Sequence, residues 1–102
     1  MKTTLTAIAL IIAASQAQAF TPEQVERCRA LGELAQTIMQ RRQEGVSISK
    51  LLSVSDEPFI QTMVIDAFDI PQMRTDANRA DQANRYREQY EAACYRFIGE
   101  PA

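Results

Sequence analysis

The sequence predicts an all-α fold, a small four-helix domain in which long first and last helices run antiparallel and are joined by one disulfide bond. Three observations support this fold class. Apolar residues after position 20 recur every three or four positions, which is the helical period. Proline, glycine and hydroxyl side chains stand where helices begin and end. Cys28 and Cys94 lie near opposite ends of residues 20–102, which are enough for a single domain.

The first predicted helix covers about residues 22–44. Thr21 suits the N-cap, Pro22 suits the first helical position, and Gln24 is placed to complete a capping box. Gly45 is expected to end the helix. The predicted apolar face recurs at helical spacing and comprises Val25, Cys28, Leu31, Ala35, Ile38 and Met39.

Two shorter helices are predicted next. Ser47 is a candidate N-cap for the second helix of the chain. Pro58 is placed to begin the third helix, and Pro71 is expected to end it. The second helix of the chain carries Ile48, Leu51, Leu52 and Val54. The third is the most apolar, so we expect it to be the most buried, through Phe59, Ile60, Met63, Val64, Ala67 and Phe68.

The last predicted helix runs from Thr75 to about Ile98. Asp76 falls in its first turn, where a carboxylate is favoured by the helix dipole, and Gly99 with Pro101 closes it. Its predicted buried stripe is Ala83, Tyr86 or Arg87, Tyr90, Ala93, Cys94 and Phe97.

The two cysteines predict a structural disulfide, Cys28 to Cys94. Small exported domains commonly carry a disulfide, and two cysteines allow a single pairing. A bridge between these positions requires the first and last helices to lie antiparallel. A redox-active pair is disfavoured, since the cysteines are far apart in sequence and form no Cys-x-x-Cys arrangement.

Residues 1–19 have the pattern of a cleavable signal peptide. Lys2 supplies the positive start, residues 5–14 are apolar, and Ala17 and Ala19 provide small residues at the cleavage site. The alternatives are a short membrane anchor or an apolar first helix of the fold. We expect an exported protein, periplasmic or secreted, with no stable membrane insertion after cleavage, because no later segment is long and apolar enough.

Composition argues against most enzymatic and ligand-binding classes. The chain has no histidine and three glycines, so it lacks the commonest general base and zinc ligand and offers no glycine-rich phosphate loop. We expect no enzyme activity, no metal and no cofactor. Paired carboxylates are the one catalytic device left, and Asp66 and Asp69 stand three apart at the end of the third helix. The solvent side of an amphipathic helix explains them better than catalysis. A formal net charge of −2 without a clustered basic face excludes nucleic acid as an expected partner.

Arginine and tyrosine are interleaved along the last helix and form a candidate binding face. These two residue types are enriched at protein interfaces. The alternative is an ordinary solvated face, with arginines paired to nearby carboxylates and tyrosines in the core. The candidate residues are Arg79, Arg85, Tyr86, Arg87, Tyr90 and Tyr95.

A charged corner after the first helix is a second candidate for recognition, formed by Arg41, Arg42, Gly45 and Ser47. The end of one helix and the start of the next explain these residues equally well. Arginine is favoured at the C-terminal end of a helix by the dipole, and glycine supplies a left-handed residue.

Three segments carry a resemblance to a known group. They are residues 41–52 (RRQEGVSISKLL), the run Met63-Val64-Ile65-Asp66-Ala67-Phe68 before Pro71, and Ala93-Cys94-Tyr95. The chain resembles small exported helical two-cysteine proteins of proteobacteria and their prophages, a group with no assigned activity. The resemblance covers most of residues 20–102 and implies a fold and a compartment, with no catalytic or binding residue to carry over.

These observations favour a non-catalytic exported protein that binds another protein, for example in modulating an envelope enzyme or in a phage–host interaction. The alternative is a holdase-type chaperone of the periplasm. In that reading, protonation of the thirteen carboxylates at acid pH loosens the fold and exposes the apolar third helix. An exposed apolar strip on that helix would also suit a homodimer.

Overall fold

The computed structural model describes residues 19–99, and four α-helices lie along them. We number them α1 (Pro22–Gln43), α2 (Ile48–Leu52), α3 (Pro58–Ala67) and α4 (Asp76–Gly99). Every regular element in this range is a helix, which confirms the predicted all-α fold. The predicted signal peptide lies outside the described residues, except for Ala19.

The two long helices, α1 and α4, form an antiparallel pair. The Cys28–Cys94 disulfide joins the start of α1 to the end of α4, with the two Cα atoms 5.4 Å apart. Farther along the pair, the side-chain amide of Gln36 donates a 2.9 Å hydrogen bond to the side-chain oxygen of Asn84. The predicted disulfide and the predicted helix arrangement are therefore both confirmed.

Gly32 allows the two long helices to approach closely beside the disulfide. It is buried in α1, and a Cβ atom added there would lie 3.1 Å from Cβ of Glu91 and 3.2 Å from Cγ of Arg87. These distances are tighter than ordinary van der Waals contact. The spacing of α1 and α4 at this level therefore depends on the missing side chain.

The short helix α3 packs on α1, and α2 packs against α3. The inner residues of α3, Met63, Val64 and Ala67, are almost completely buried. They join buried residues of the long helices in one core, together with Ala35, Ile38, Met39, Ala83 and Tyr86. The core therefore lies where α3 crosses the long pair.

The helix starts follow the predicted capping chemistry. The Thr21 hydroxyl accepts a hydrogen bond from the Gln24 amide, and the Gln24 side chain accepts one from the Thr21 amide, so the capping box is present. Ser47 accepts a hydrogen bond from the amide of Lys50 at the start of α2. Thr75 caps α4 through the amide of Asn78.

Gly45 ends α1 as predicted, because it has a positive φ of 90°. Its amide donates to the carbonyl of Arg42, and the amide of Val46 donates to the carbonyl of Arg41, each at 3.1 Å. This pair of bonds is the Schellman motif, which satisfies carbonyls that the end of a helix leaves without partners.

Three residues that were predicted to be buried are exposed, namely Phe59, Ala93 and Phe97. Phe97 is 81% exposed and Ala93 is also exposed, because the ten-residue α3 does not extend over this end of α4. The placement of Val54 on the second helix is also wrong, because α2 ends at Leu52 and Val54 is exposed. Only one side of α3 is covered by other helices. Phe59 therefore remains 51% exposed, whereas Met63, Val64 and Ala67 of the same helix are buried.

Candidate functional site

The predicted arginine–tyrosine face divides between core and surface. Tyr86 is only 2% exposed and belongs to the core. Tyr90 and Tyr95 are half-buried, and Tyr95 packs against Phe20 with ring centroids 5.3 Å apart. The tyrosines of α4 therefore serve mainly to pack the helices, which is the alternative that the sequence left open for them.

Tyr86 and Tyr90 connect α4 to α3 through their hydroxyl groups. The Tyr86 hydroxyl donates a 2.6 Å hydrogen bond to the backbone carbonyl of Met63. The Tyr90 hydroxyl donates a 3.2 Å hydrogen bond to the carboxylate of Asp66. Burial raises the pKa of both phenols, because it penalises the charged phenolate, and the nearby Asp66 carboxylate adds to the effect.

The three arginines of the predicted face lie in different environments. Arg85 is exposed and pairs with Asp81 at 2.8 Å, one turn away on α4. Arg79 donates from Nε to the backbone carbonyl of Met73 at 2.9 Å and so fixes the loop before α4. Arg87 is half-buried, and its Nε has no hydrogen-bond partner. The six predicted residues therefore do not form one surface.

Each residue of the predicted charged corner has a local structural role. Arg41 pairs with Glu44 at 2.9 Å, and both side chains are more than half exposed. Gly45 and Ser47 end α1 and begin α2. Arg42 donates from Nε to the carbonyl of Ile70. These four residues are thus accounted for by the end of α1, the start of α2 and local side-chain contacts. Nothing in their geometry requires a partner protein.

Gln43 is a structural residue that the sequence reasoning missed. Its side chain is 1% exposed; its amide nitrogen donates to the carbonyl of Pro71 at 3.0 Å, and its oxygen accepts from the amide of Met73 at 2.7 Å. Both bonds hold the segment between α3 and α4 against the end of α1. A glutamine at the end of a helix carries no sequence signal for such a role, because the same residue type usually faces solvent.

An apolar groove beside the disulfide is the main surface feature that the sequence did not indicate. It encloses about 600 Å³ between the end of α4, the start of α3 and α1. Phe59 and Phe97 both line it, and they are 51% and 81% exposed. The full lining is Leu31, Phe59, Tyr90, Ala93, Cys94 and Phe97. We call this the disulfide groove.

The disulfide groove exists because the apolar stripe of α4 continues beyond the part of α4 that α3 covers. Tyr90 still meets α3, through an edge-on contact with Phe59 at 6.3 Å between ring centroids. Ala93 and Phe97, about one and two turns farther along α4, are exposed. The sequence signal for this groove was the predicted burial of Ala93 and Phe97. Apolar residues that are predicted to be buried form an exposed apolar surface when no other helix covers them.

A second apolar groove lies on the other side of α3. It encloses about 460 Å³ and has charged residues at its edge, Arg41, Glu44 and Lys50. Its apolar lining comes from α1, α2 and α3 and includes Leu34, Ile38, Leu51, Val54, Ile60 and Val64. Among these, Ile38 and Val64 are already buried in the core, so less of this groove is available to a partner.

The carboxylate pair that the sequence singled out, Asp66 and Asp69, lies at and just beyond the end of α3. Asp66 is exposed and accepts from Tyr90, and Asp69 is exposed near the end of α3. Within residues 19–99, no group of three or more Cys, Asp or Glu side chains is placed to hold a metal ion. None of the helices in the same range combines the length and apolar character needed to cross a bilayer.

Comparison with protein-family models, with curated proteins and with solved structures finds no match for this chain. The resemblance to small exported proteins of proteobacteria and their prophages therefore stays a prediction. The disulfide agrees with an oxidising compartment, since such bonds form and persist in exported proteins.

Proposed function

We propose that this chain is a non-catalytic exported protein, periplasmic or secreted, whose role is to bind another protein. The disulfide groove, with its two exposed phenylalanines, is the observation that carries the proposal. The predicted signal peptide and the disulfide support the export part. Modulation of an envelope enzyme and a phage–host interaction are the two settings that the resemblance favours.

Exposed aromatic side chains around an apolar groove favour a binding role. Burying one phenylalanine is worth about 1.5–3 kcal/mol, so Phe59 and Phe97 would both gain by contact with a partner. Single exposed apolar residues are ordinary on protein surfaces, but these two line the same concave surface. That arrangement resembles the anchor sites that dominate protein interfaces.

The disulfide makes the groove rigid. Cys94 is part of the lining and is covalently joined to Cys28 on the neighbouring helix, so α1 and α4 cannot separate beneath a bound partner. Tyr90, also in the lining, is held by its hydrogen bond to Asp66. A surface that is already ordered loses less conformational entropy on binding, which favours affinity.

The proposal is tested by affinity capture from envelope extract of the producing cell. The bait is residues 20–102 with the disulfide intact, and the variant is the double substitution Phe59→Ala with Phe97→Ala. Val54→Ala is the matched control, because Val54 is 79% exposed and lies outside the disulfide groove. One stoichiometric partner, lost with the double variant and kept with the control, supports the proposal. Capture of no partner, or of one indifferent to the double substitution, contradicts it.

A holdase role predicts a different result. A chaperone of that kind suppresses the aggregation of many unfolded clients, most strongly where its own fold loosens. Light scattering from an aggregating client at neutral and acid pH distinguishes the two roles. Protection of unrelated clients would favour the holdase, whereas a specific binding protein leaves their aggregation unchanged.

A further inference from the structure

The charges around the disulfide groove indicate what kind of segment it binds. We propose that its occupant is an amphipathic segment of a partner protein, with an aliphatic or aromatic anchor flanked by basic residues on the side that faces α3. This inference rests on the proposed function and adds the chemistry of the partner to it.

The segment around α3 is acidic throughout. Residues 51–73 contain Asp56, Glu57, Asp66 and Asp69 and have no lysine or arginine. Asp56 and Glu57 stand three and two residues before Phe59, which lines the groove. Asp66 meets the groove through the hydroxyl of Tyr90. The charges that the α3 segment itself brings to this region are therefore all negative.

None of these carboxylates forms a salt bridge within the described part of the chain. The salt bridges found there involve Glu26, Glu44, Asp76 and Asp81, all on or next to the long helices. The four acidic residues of the α3 segment take part in none of them, and all four side chains belong to exposed residues. Unpaired exposed carboxylates beside an apolar groove favour basic residues in the occupant.

The positive charges close to the lining residues in sequence lie on the long helices. Arg27 is one turn before Leu31 on α1, and Arg96 precedes Phe97 on α4. Basic residues of an occupant would be repelled there and attracted at α3. The charge pattern therefore sets a direction for the occupant, with its basic residues toward Asp56, Glu57 and Asp66.

The size of the groove argues against a second copy of this chain as the occupant. A stable dimer uses about 20–30 residues on each side, whereas six residues line the disulfide groove. Its volume of about 600 Å³ falls in the range of pockets that bind small ligands. It therefore fits one or two anchor side chains of a partner segment.

Two synthetic helical peptides test the inference. They share the same leucine face, and one carries Lys where the other carries Glu at the polar positions. Their affinities for residues 20–102 with the disulfide intact are measured by fluorescence anisotropy. We expect the Lys peptide to bind about tenfold more tightly, as three exposed charge pairs would give, and its advantage to fall as salt is added.

Variants locate the binding. Asp56→Asn with Glu57→Gln should reduce the advantage of the Lys peptide, and Phe97→Ala should weaken both peptides. Glu33→Gln with Glu88→Gln is the matched control, since both carboxylates are exposed and neither residue lines the groove. An effect of the control equal to that of the Asp56 and Glu57 variant would overturn the inference.

Three further results would also overturn it. They are equal binding of the two peptides, binding of neither, and a homodimer in sedimentation experiments that dissociates with Phe97→Ala. The inference and the proposed function fail separately. A captured partner that depends on Phe59 and Phe97, with no discrimination between the peptides, removes the inference and leaves the function. Tighter binding of the Lys peptide without a captured partner removes the proposed function and leaves the inference about the charge of the occupant.

Discussion

The hydroxyl group of Tyr86 on α4 donates a 2.6 Å hydrogen bond to the backbone carbonyl of Met63 on α3. Both residues are almost completely buried, so this bond joins the last helix to the third inside the core. It fixes the rotation of α3 on the long helices, and with it the position of Phe59 at the disulfide groove.

Replacing Tyr86 with phenylalanine should lower the free energy of unfolding by about 1–2 kcal/mol, because the ring stays and the buried hydrogen bond is lost. Urea denaturation followed by circular dichroism measures the change. Tyr95→Phe is the matched control, since its hydroxyl donates to the Val25 carbonyl at 3.3 Å from a half-buried position. Equal losses in the two variants would contradict the assignment of Tyr86 to the core.

The three tyrosines should titrate at higher pH in the folded protein than in the unfolded chain. Desolvation raises the pKa of Tyr86, Tyr90 and Tyr95 above the ordinary value of about 10, most of all for Tyr86. The chain has three tyrosines and no tryptophan, so ultraviolet absorbance of the phenolates follows their titration directly.

The same shifts predict alkaline destabilisation. A raised pKa means that the folded protein keeps protons that the unfolded chain releases, so stability is fully present below about pH 10 and falls as pH rises above it. Tyr86→Phe should reduce this loss. Stability that stays constant between about pH 9 and pH 11 would contradict the buried environment of the tyrosines.

Gln43→Leu should lower the free energy of unfolding by about 2–4 kcal/mol, because it leaves the Pro71 carbonyl and the Met73 amide without partners. Hydrogen exchange should locate the damage, with faster exchange at the Met73 amide. Gln40→Leu is the matched control, as Gln40 lies on the same helix and is exposed. An unchanged Met73 exchange rate in the Gln43 variant would exclude the proposed role of that side chain.

Removing the disulfide, by Cys28→Ala with Cys94→Ala, should destabilise the fold by about 4 kcal/mol on the chain-entropy estimate for a sequence separation of 66. Urea denaturation of the oxidised protein and of the double variant measures the difference. Mass spectrometry of a non-reduced digest provides the companion control, since it must show the Cys28 and Cys94 peptides joined. A variant as stable as the oxidised protein would contradict a structural role for the bond.

Local signals in the sequence were sufficient for the helix ends and for the pairing of the long helices. Thr21, Ser47 and Gly45 act through contacts with residues a few positions away, so their roles follow from the neighbouring sequence. The two cysteines gave one pairing, and that pairing required an antiparallel arrangement. These predictions needed no knowledge of how the short helices pack.

The disulfide groove and the division of the arginine–tyrosine face depended on tertiary packing. Helix α3 has ten residues, about 15 Å, and α4 has twenty-four, about 36 Å, so α3 covers less than half of it. Helical periodicity places Tyr86 and Phe97 on the same stripe, but it does not tell where the covering helix ends. Tyr86 therefore lies in the core and Phe97 at the surface.

The bond between Cys28 and Cys94 also closes a covalent ring that contains α2, α3 and every connection between the helices. A protease that cuts once inside this ring opens it without releasing a fragment. The two pieces then migrate separately only on a reducing gel. A single cut in the segment between α2 and α3 would therefore leave the long pair of helices, with Cys94, Ala93 and Phe97 in the groove, as one covalent molecule.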